Sequence, residues 1–225
     1  MRWQHPDRGM VPPSLFIPLA ERSDLILQLG YFALEQALSA ASTWQALSGH
    51  SSAPFVSVNL SARQFQDPLL AAKIVSALEE NGISPDRLII EITESVTLLD
   101  VAETSSVVKR LNATGVTFAL DDFGTGYSSL SYLTELSPRI IKIDKSFVNP
   151  SLVSVRHDSL LEAIVSLGHQ LDGTMLGEGI ETDSQLERLR GLECEYGQGF
   201  LFSPAVPAHE VATLIASSPW RLTST

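Results

Sequence analysis

Residues 116–130 read VTFALDDFGTGYSSL. A run of apolar and β-branched residues, Val116 to Leu120, leads straight into the adjacent carboxylates Asp121 and Asp122. A Gly-x-Gly turn at Gly124 and Gly126 follows, then Ser128 and Ser129 ahead of an apolar helical pattern. That order is the order of a buried strand, a loop and a helix. Two neighbouring aspartates at the end of a buried strand repel each other, and burying them is costly unless a cation or hydrogen-bond donors compensate. A divalent metal is the usual compensation, because carboxylate oxygens suit hard ions such as Mg²⁺ or Mn²⁺ and glycines let the backbone bend close to a ligand. Taken alone, an Asp pair before a glycine turn is more often a solvated turn or a helix cap. Repetition elsewhere in the chain decides between the two.

Outward from this stretch the same design recurs. Phe55 to Asn59 reads as a short strand ending in a polar residue, followed by a helix over Pro68 to Glu80 that stops at Asn81-Gly82. Leu88 to Glu91 repeats it, with a helix over about Val101 to Ala113. After Thr117 to Asp121 come a strand at Ile140 to Asp144, a helix over Asp158 to Leu171 and a strand at Thr174 to Glu178. A helix over Asp183 to Leu192, strand-like pieces between Glu195 and Phe202 and a helix over Ala208 to Ser217 complete the series. Upstream, an apolar face from about Asp24 to Leu47 predicts a long helix capped by Ser23 or Asp24, Leu15 to Leu19 a short apolar turn, and Met1 to Pro6 the tail of a strand.

Strands alternating with helices imply βαβ units and a mostly parallel sheet. Runs apolar along their whole length, as at Leu88 to Ile90, predict strands covered on both faces. No Gly-x-Gly-x-x-Gly follows the first complete strand, so a (β/α) barrel is preferred over a doubly wound dinucleotide fold. At 225 residues one large domain suffices, and no low-complexity tract offers a linker.

Acidic residues outnumber basic ones 26 to 15, for a formal net charge of −11. That field opposes non-specific nucleic-acid binding, DNA included, and an anionic substrate would need metal ions or a local basic pocket. The single cysteine, Cys194, excludes an intrachain disulfide and fits a reducing compartment; its neighbours Glu193 and Glu195 make it a poor nucleophile. No apolar run approaches the roughly 18 residues that span a bilayer. A cytoplasmic domain, or the cytoplasmic part of a larger protein, is the expectation.

Each strand carries chemistry at its C-terminal end: Asn59, then Glu91, Asp121 with Asp122, Lys142 with Asp144, and Glu178 with Glu181. Barrel enzymes draw their active residues from that face and from several strands. Together these form a set of oxygen ligands plus a cation. Two metal ions on such a set can activate water and stabilise a leaving oxygen without a side-chain nucleophile. No Ser-His-Asp or Cys-His arrangement is evident, and His50, His157, His169 and His209 fall in loops or on helices.

The strings Val58-Asn59-Leu60-Ser61-Ala62, Glu91-Ile92-Thr93-Glu94-Ser95, DDFGTGYSSL, Ile141-Lys142-Ile143-Asp144 and Gly177-Glu178-Gly179-Ile180-Glu181-Thr182 resemble the motif series of the EAL domain family, in the family's order, from Arg2 to about Pro207. The resemblance implies an α/β TIM-like barrel and a phosphodiesterase that opens cyclic di-GMP to linear pGpG with two Mg²⁺ or Mn²⁺ ions. By the same resemblance Asn59, Glu91 and Asp121 ligate the first metal and Asp122 the second, with Glu178 completing the carboxylate set. Lys142 contacts the attacking water and the phosphate, and Gln198 lies near the water. Glu94 and Glu181 support the site, Arg2 meets a substrate phosphate, and His5 is structural. A homodimer and an upstream sensory or diguanylate cyclase-type domain are further expectations.

One departure stands out. The family's Glu-Ala-Leu string belongs on a strand just ahead of Arg2, and none occurs in this chain. The expectation is therefore a single barrel domain over residues 1–225 whose first strand or strands are missing, with weakened metal binding and a gap in the barrel wall. A fragment or late start of a longer protein is the preferred reading. A degenerate domain that binds cyclic di-GMP or a protein partner without turnover, and a barrel completed by a second chain, remain open.

Overall fold

In the computed structural model, residues 1–48, 54–93, 101–125, 136–149 and 155–217 are described. Six strands form one parallel sheet: β3 (Val56–Asn59), β4 (Leu88–Thr93), β5 (Thr117–Phe123), β6 (Ile140–Ile143), β7 (Thr174–Gly177) and β8 (Tyr196–Gly197), hydrogen-bonded in sequence order. A doubly wound sheet reverses its strand order at a switch point. This one never does, so the sheet curls in one direction as an open barrel wall with β3 and β8 at its edges.

Strand register divides the side chains into two sets. Asn59 pairs with Glu91, Glu91 with Ala119, Ala119 with Ile140 and Lys142 with Leu176. Paired residues face the same way and alternate residues face opposite ways. The outward set is therefore Val56, Val58, Leu88, Ile90, Ile92, Phe118, Leu120, Ile141, Ile143 and Met175, every one of them buried. Helices cover this side: α2 (Leu25–Ser48) lies on β3, α5 (Val101–Thr114) on β5 and α7 (Val155–Gln170) on β7, while α4 (Leu70–Asn81) packs between α2 and α5. The hydrophobic core thus lies outside the sheet. The apolar run at Leu88 to Ile90 is fully covered only on that outer side, since Ile89 faces inward and is half-buried.

The inward face lines a concavity of about 980 Å³, bounded by Phe55, Ile89, Thr117, Ile140, Leu176 and Tyr196. Phe55 and Tyr196, beside the two free edges, are more than half exposed.

The N-terminal segment differs from its sequence reading. Trp3–His5 (β1) pairs antiparallel with Gly9–Val11 (β2) as a separate hairpin. The apolar turn is instead a helix, α1 (Pro13–Glu21), because Pro13 sits at its first position, where no amide hydrogen is required, and Phe16 and Ala20 share one buried face. Two four-residue helices, α3 (Ala62–Phe65) and α6 (Lys145–Val148), are too short to show a periodicity in sequence. Downstream, α4 ends where Gly82 takes φ +66°, and α8 (Asp183–Gly191) starts from a capping box of Thr182 and Gln185. The last helix is α9 (Ala208–Ser217). The carboxylate of Asp24, just ahead of α2, pairs with Arg63 at 2.6 Å.

A polar tie fastens α2 to the α3–α4 segment. The Tyr31 hydroxyl donates to Asp67 Oδ2 at 2.6 Å, Lys73 Nζ reaches the same oxygen at 2.8 Å, and the Lys73 ammonium stands 4.2 Å from the Tyr31 ring centre. Hydrogen bonds from Lys73 and Tyr31 hold the Asp67 carboxyl at about 2. Its folded value lies below the ordinary carboxylate value, so the stability it contributes is full above about pH 4 and is lost as pH falls through 2. Asp67→Asn should cost about 1–2 kcal/mol at pH 7 in urea denaturation, with the difference from the parent closing between about pH 4 and pH 2.

Candidate active site

The inward set changes character toward the C-terminal ends of the strands. There it consists of Asn59 on β3, Glu91 on β4, Asp121 on β5 and Lys142 on β6, joined by Glu178 immediately after β7. Their convergence follows from the register above. Lys142 is 4% exposed, and its Nζ lies 2.9 Å from Glu91 Oε2, 2.8 Å from Asp121 Oδ1 and 2.7 Å from Glu178 Oε1. Asn59 Nδ2 donates to Glu91 Oε2 at 2.8 Å.

Asp122 joins this group through a break in the pleat. Between the β5–β6 pairs Leu120↔Ile141 and Phe123↔Ile143, β5 carries one residue more than β6. The extra residue makes a β-bulge, with Asp122 at φ +56°, a left-handed conformation that Asp tolerates better than most residues. Strict alternation would send Asp122 outward into the helix layer and Phe123 inward. With the bulge, Phe123 is buried in the outer core. Asp121, Asp122 and Glu178 bring carboxylate oxygens within 4.8 Å of one another. Gly124, at φ +96°, then turns the chain so tightly that a Cβ there would lie 2.9 Å from the Phe147 ring.

Three carboxylates thus meet one ammonium, and Asp122 adds a fourth formal negative charge beside Asp121 and Glu178. Burial pulls the Lys142 pKa down, but the charge of Glu91 and the hydrogen bonds to Asp121 and Glu178 together outweigh it, and the group is held above the ordinary lysine range. Burial pushes the Glu178 carboxyl up, with the Lys142 contact opposing it. The surplus of carboxylate over cation, with hard oxygen donors from separate strands, suits a divalent ion such as Mg²⁺.

Other residues singled out in the sequence stand apart. Asp144 caps α6, accepting from the Ser146 amide at 2.9 Å. Glu181 is exposed, and its amide donates to Gln185 Oε1 at 2.7 Å in the start of α8. Gln198 lies just past β8: its amide donates to Gly177 O at 2.8 Å and its carbonyl accepts from Ile180 N at 3.0 Å, which fixes it against the loop that carries Glu178. Arg2 is exposed ahead of β1 and takes no part in the ion pairs around Lys142. Glu94, His50 and Gly126 to Leu130 lie outside the described residues, as does the side chain of His157. Burial, with a smaller contribution from Glu195, pushes the Cys194 thiol up to about 11, and Glu193 is not among the causes.

Comparison with known proteins gives this geometry a family. A match to the EAL domain covers residues 1–205. The chain belongs to the EAL domain family. The bifunctional diguanylate cyclase/cyclic di-GMP phosphodiesterase MucR of Pseudomonas aeruginosa is 39% identical over 220 residues, which are 96% of this chain and 31% of MucR. The oxygen sensor protein DosP of Escherichia coli is 41% identical over 216 residues, 96% of this chain and 27% of DosP. This EAL chain therefore spans less than a third of either relative. Among solved structures, the PaMucR phosphodiesterase in its c-di-GMP complex superposes with a TM-score of 0.87 at 38% identity, covering 93% of this chain and 84% of that one. The EAL enzyme Bd1971 in its cAMP- and cyclic-di-GMP-bound form gives 0.90 at 30% identity, covering 95% and 58%.

The bulge makes a specific prediction. Deleting Asp122 removes the inserted residue, so Phe123 follows Asp121 in strict alternation and keeps its outward place in the core; the cost should stay well below that of truncating a buried phenylalanine, about 3–5 kcal/mol. Asp122→Gly keeps the bulge and relieves the positive φ, and should stay within about 1 kcal/mol of the parent. Urea denaturation of the two variants checks both.

Proposed function

We propose that this EAL domain hydrolyses cyclic di-GMP to linear pGpG with the aid of two divalent ions, Mg²⁺ or Mn²⁺. The observation that carries this reading is the convergence of Asn59, Glu91, Asp121, Asp122 and Glu178 around Lys142, at the strand ends where barrel enzymes place their chemistry. It agrees with the phosphodiesterase named in MucR and the c-di-GMP complex named for its solved relative. Asn59, Glu91 and Asp121 would hold the first ion and Asp122 the second, with Glu178 completing the set. When bound, such ions lower the pKa of water and neutralise charge on phosphate oxygens.

The chain's own groups orient the reaction. Lys142 brings a positive charge to the phosphate and the attacking water, and Gln198, anchored beside Gly177 and Ile180, positions that water. Arg2 engages a substrate phosphate, and Glu94 and Glu181 support the loops that hold the carboxylates. A homodimer belongs to the same proposal, as does a covalently linked sensory or diguanylate cyclase-type domain, the latter because MucR and DosP are much longer than this chain. Among the described residues no helix is long and apolar enough to cross a membrane.

Among the described residues β3 and β8 end the sheet, and the concave face left open between them favours a second reading. On this reading the domain binds cyclic di-GMP as a receptor, or engages a protein partner, without turnover.

Chromatography after incubation with cyclic di-GMP and Mn²⁺ tests the first reading, with pGpG as the expected product. Glu91→Ala and Asp121→Ala should each lower turnover by roughly 100-fold or more. Retained turnover in these variants would refute the site assignment. Dinucleotide binding in calorimetry with no product, unchanged when metal is chelated, would select the receptor.

A further inference from the structure

The ammonium of Lys142 occupies the meeting point of the carboxylates that the preceding reading assigns to metal. An ammonium has three N–H donors, and here each faces a different carboxylate, at 2.9, 2.8 and 2.7 Å. Glu91, Asp121 and Glu178 therefore already surround a cation. We propose that Lys142 is the site's internal counter-ion and competes with the first divalent ion for the same carboxylate oxygens, so that loading the ion drives the ammonium out toward the concave face.

Four features support this. A hard divalent ion takes carboxylate oxygens at about 2.0–2.1 Å, so an ion on Glu91 and Asp121 would crowd an ammonium still bonded to both. Two unscreened positive charges at that separation repel strongly in a buried site. Leaving the oxygens with neither cation is also unfavourable, because like charges would then face one another with almost no solvent around Lys142 or Glu91. The lysine stem is flexible enough to make the exchange, and the face it would swing toward is the concave one, where its cross-strand neighbour Leu176 is half-buried. Lys142 thus holds the ligands in place without the ion and is released by it. This inference rests on the metal reading above, and its test separates the two.

Calorimetric titration with MnCl₂ at pH 8, without nucleotide, on the parent, Lys142→Met, Lys142→Arg and Glu178→Ala provides the test. The pH keeps the carboxylates ionised once the lysine is gone. Lys142→Met should bind Mn²⁺ roughly ten- to a hundredfold more tightly than the parent, whereas Lys142→Arg, which keeps the charge, should remain close to it. In parallel thermal melts, Lys142→Met should be less stable than the parent without metal and regain the difference with Mn²⁺. Equal or weaker Mn²⁺ binding by a folded Lys142→Met, or an unfolded Lys142→Met that Mn²⁺ does not restore, overturns the exchange. If the parent itself binds no Mn²⁺, or Glu178→Ala binds it as well as the parent does, the metal reading fails instead.

Discussion

A single ammonium brought among several carboxylates is the constraint around which the site is arranged. Lys142 connects β4, β5, β6 and the loop after β7 through three short ion pairs. Buried ion pairs add little net stability, because desolvation offsets the attraction. They do fix geometry, since each misplaced partner would leave a charge uncompensated. The ends of four consecutive elements are thereby held at one spacing, and the negative surplus that remains is the property that invites a metal.

The second constraint is the pleat and its one interruption. Period-2 alternation sends an apolar residue outward under the helices at every second position and gathers the polar strand-end residues inward. Asp121 and Asp122 cannot both face inward on a regular strand. One inserted residue resolves the conflict locally, and the chain returns to register at Phe123↔Ile143 with its hydrophobic face intact. A bulge beside a functional centre is a common way to re-aim a side chain.

Much of this was legible in the sequence, for physical reasons. Alternation of strands and helices showed because outward residues such as Val56, Val58, Ile90 and Ile92 must be apolar, and because Gly82 marks a helix stop with a backbone angle that few other residues tolerate. Asn59, Glu91, Asp121, Lys142 and Glu178 were visible because polarity returns at the strand ends. The bulge was not, since nothing in Asp-Asp-Phe distinguishes an inserted residue from a regular one. Asp144 looked like a site residue because a helix cap and a ligand share a side chain and a position. The backbone anchoring of Gln198 leaves no side-chain pattern to read. The upward direction of the Cys194 thiol was legible from Glu195, but the acidic neighbours hid burial as the larger cause.

The division between outward and inward residues has an evolutionary consequence. The outer core and the concave face are written in alternate letters of the same strands, so a substitution at an inward position leaves every contact of the outer core in place. A lineage with this architecture can rewrite its concave face and keep the layer of strands and helices that carries it.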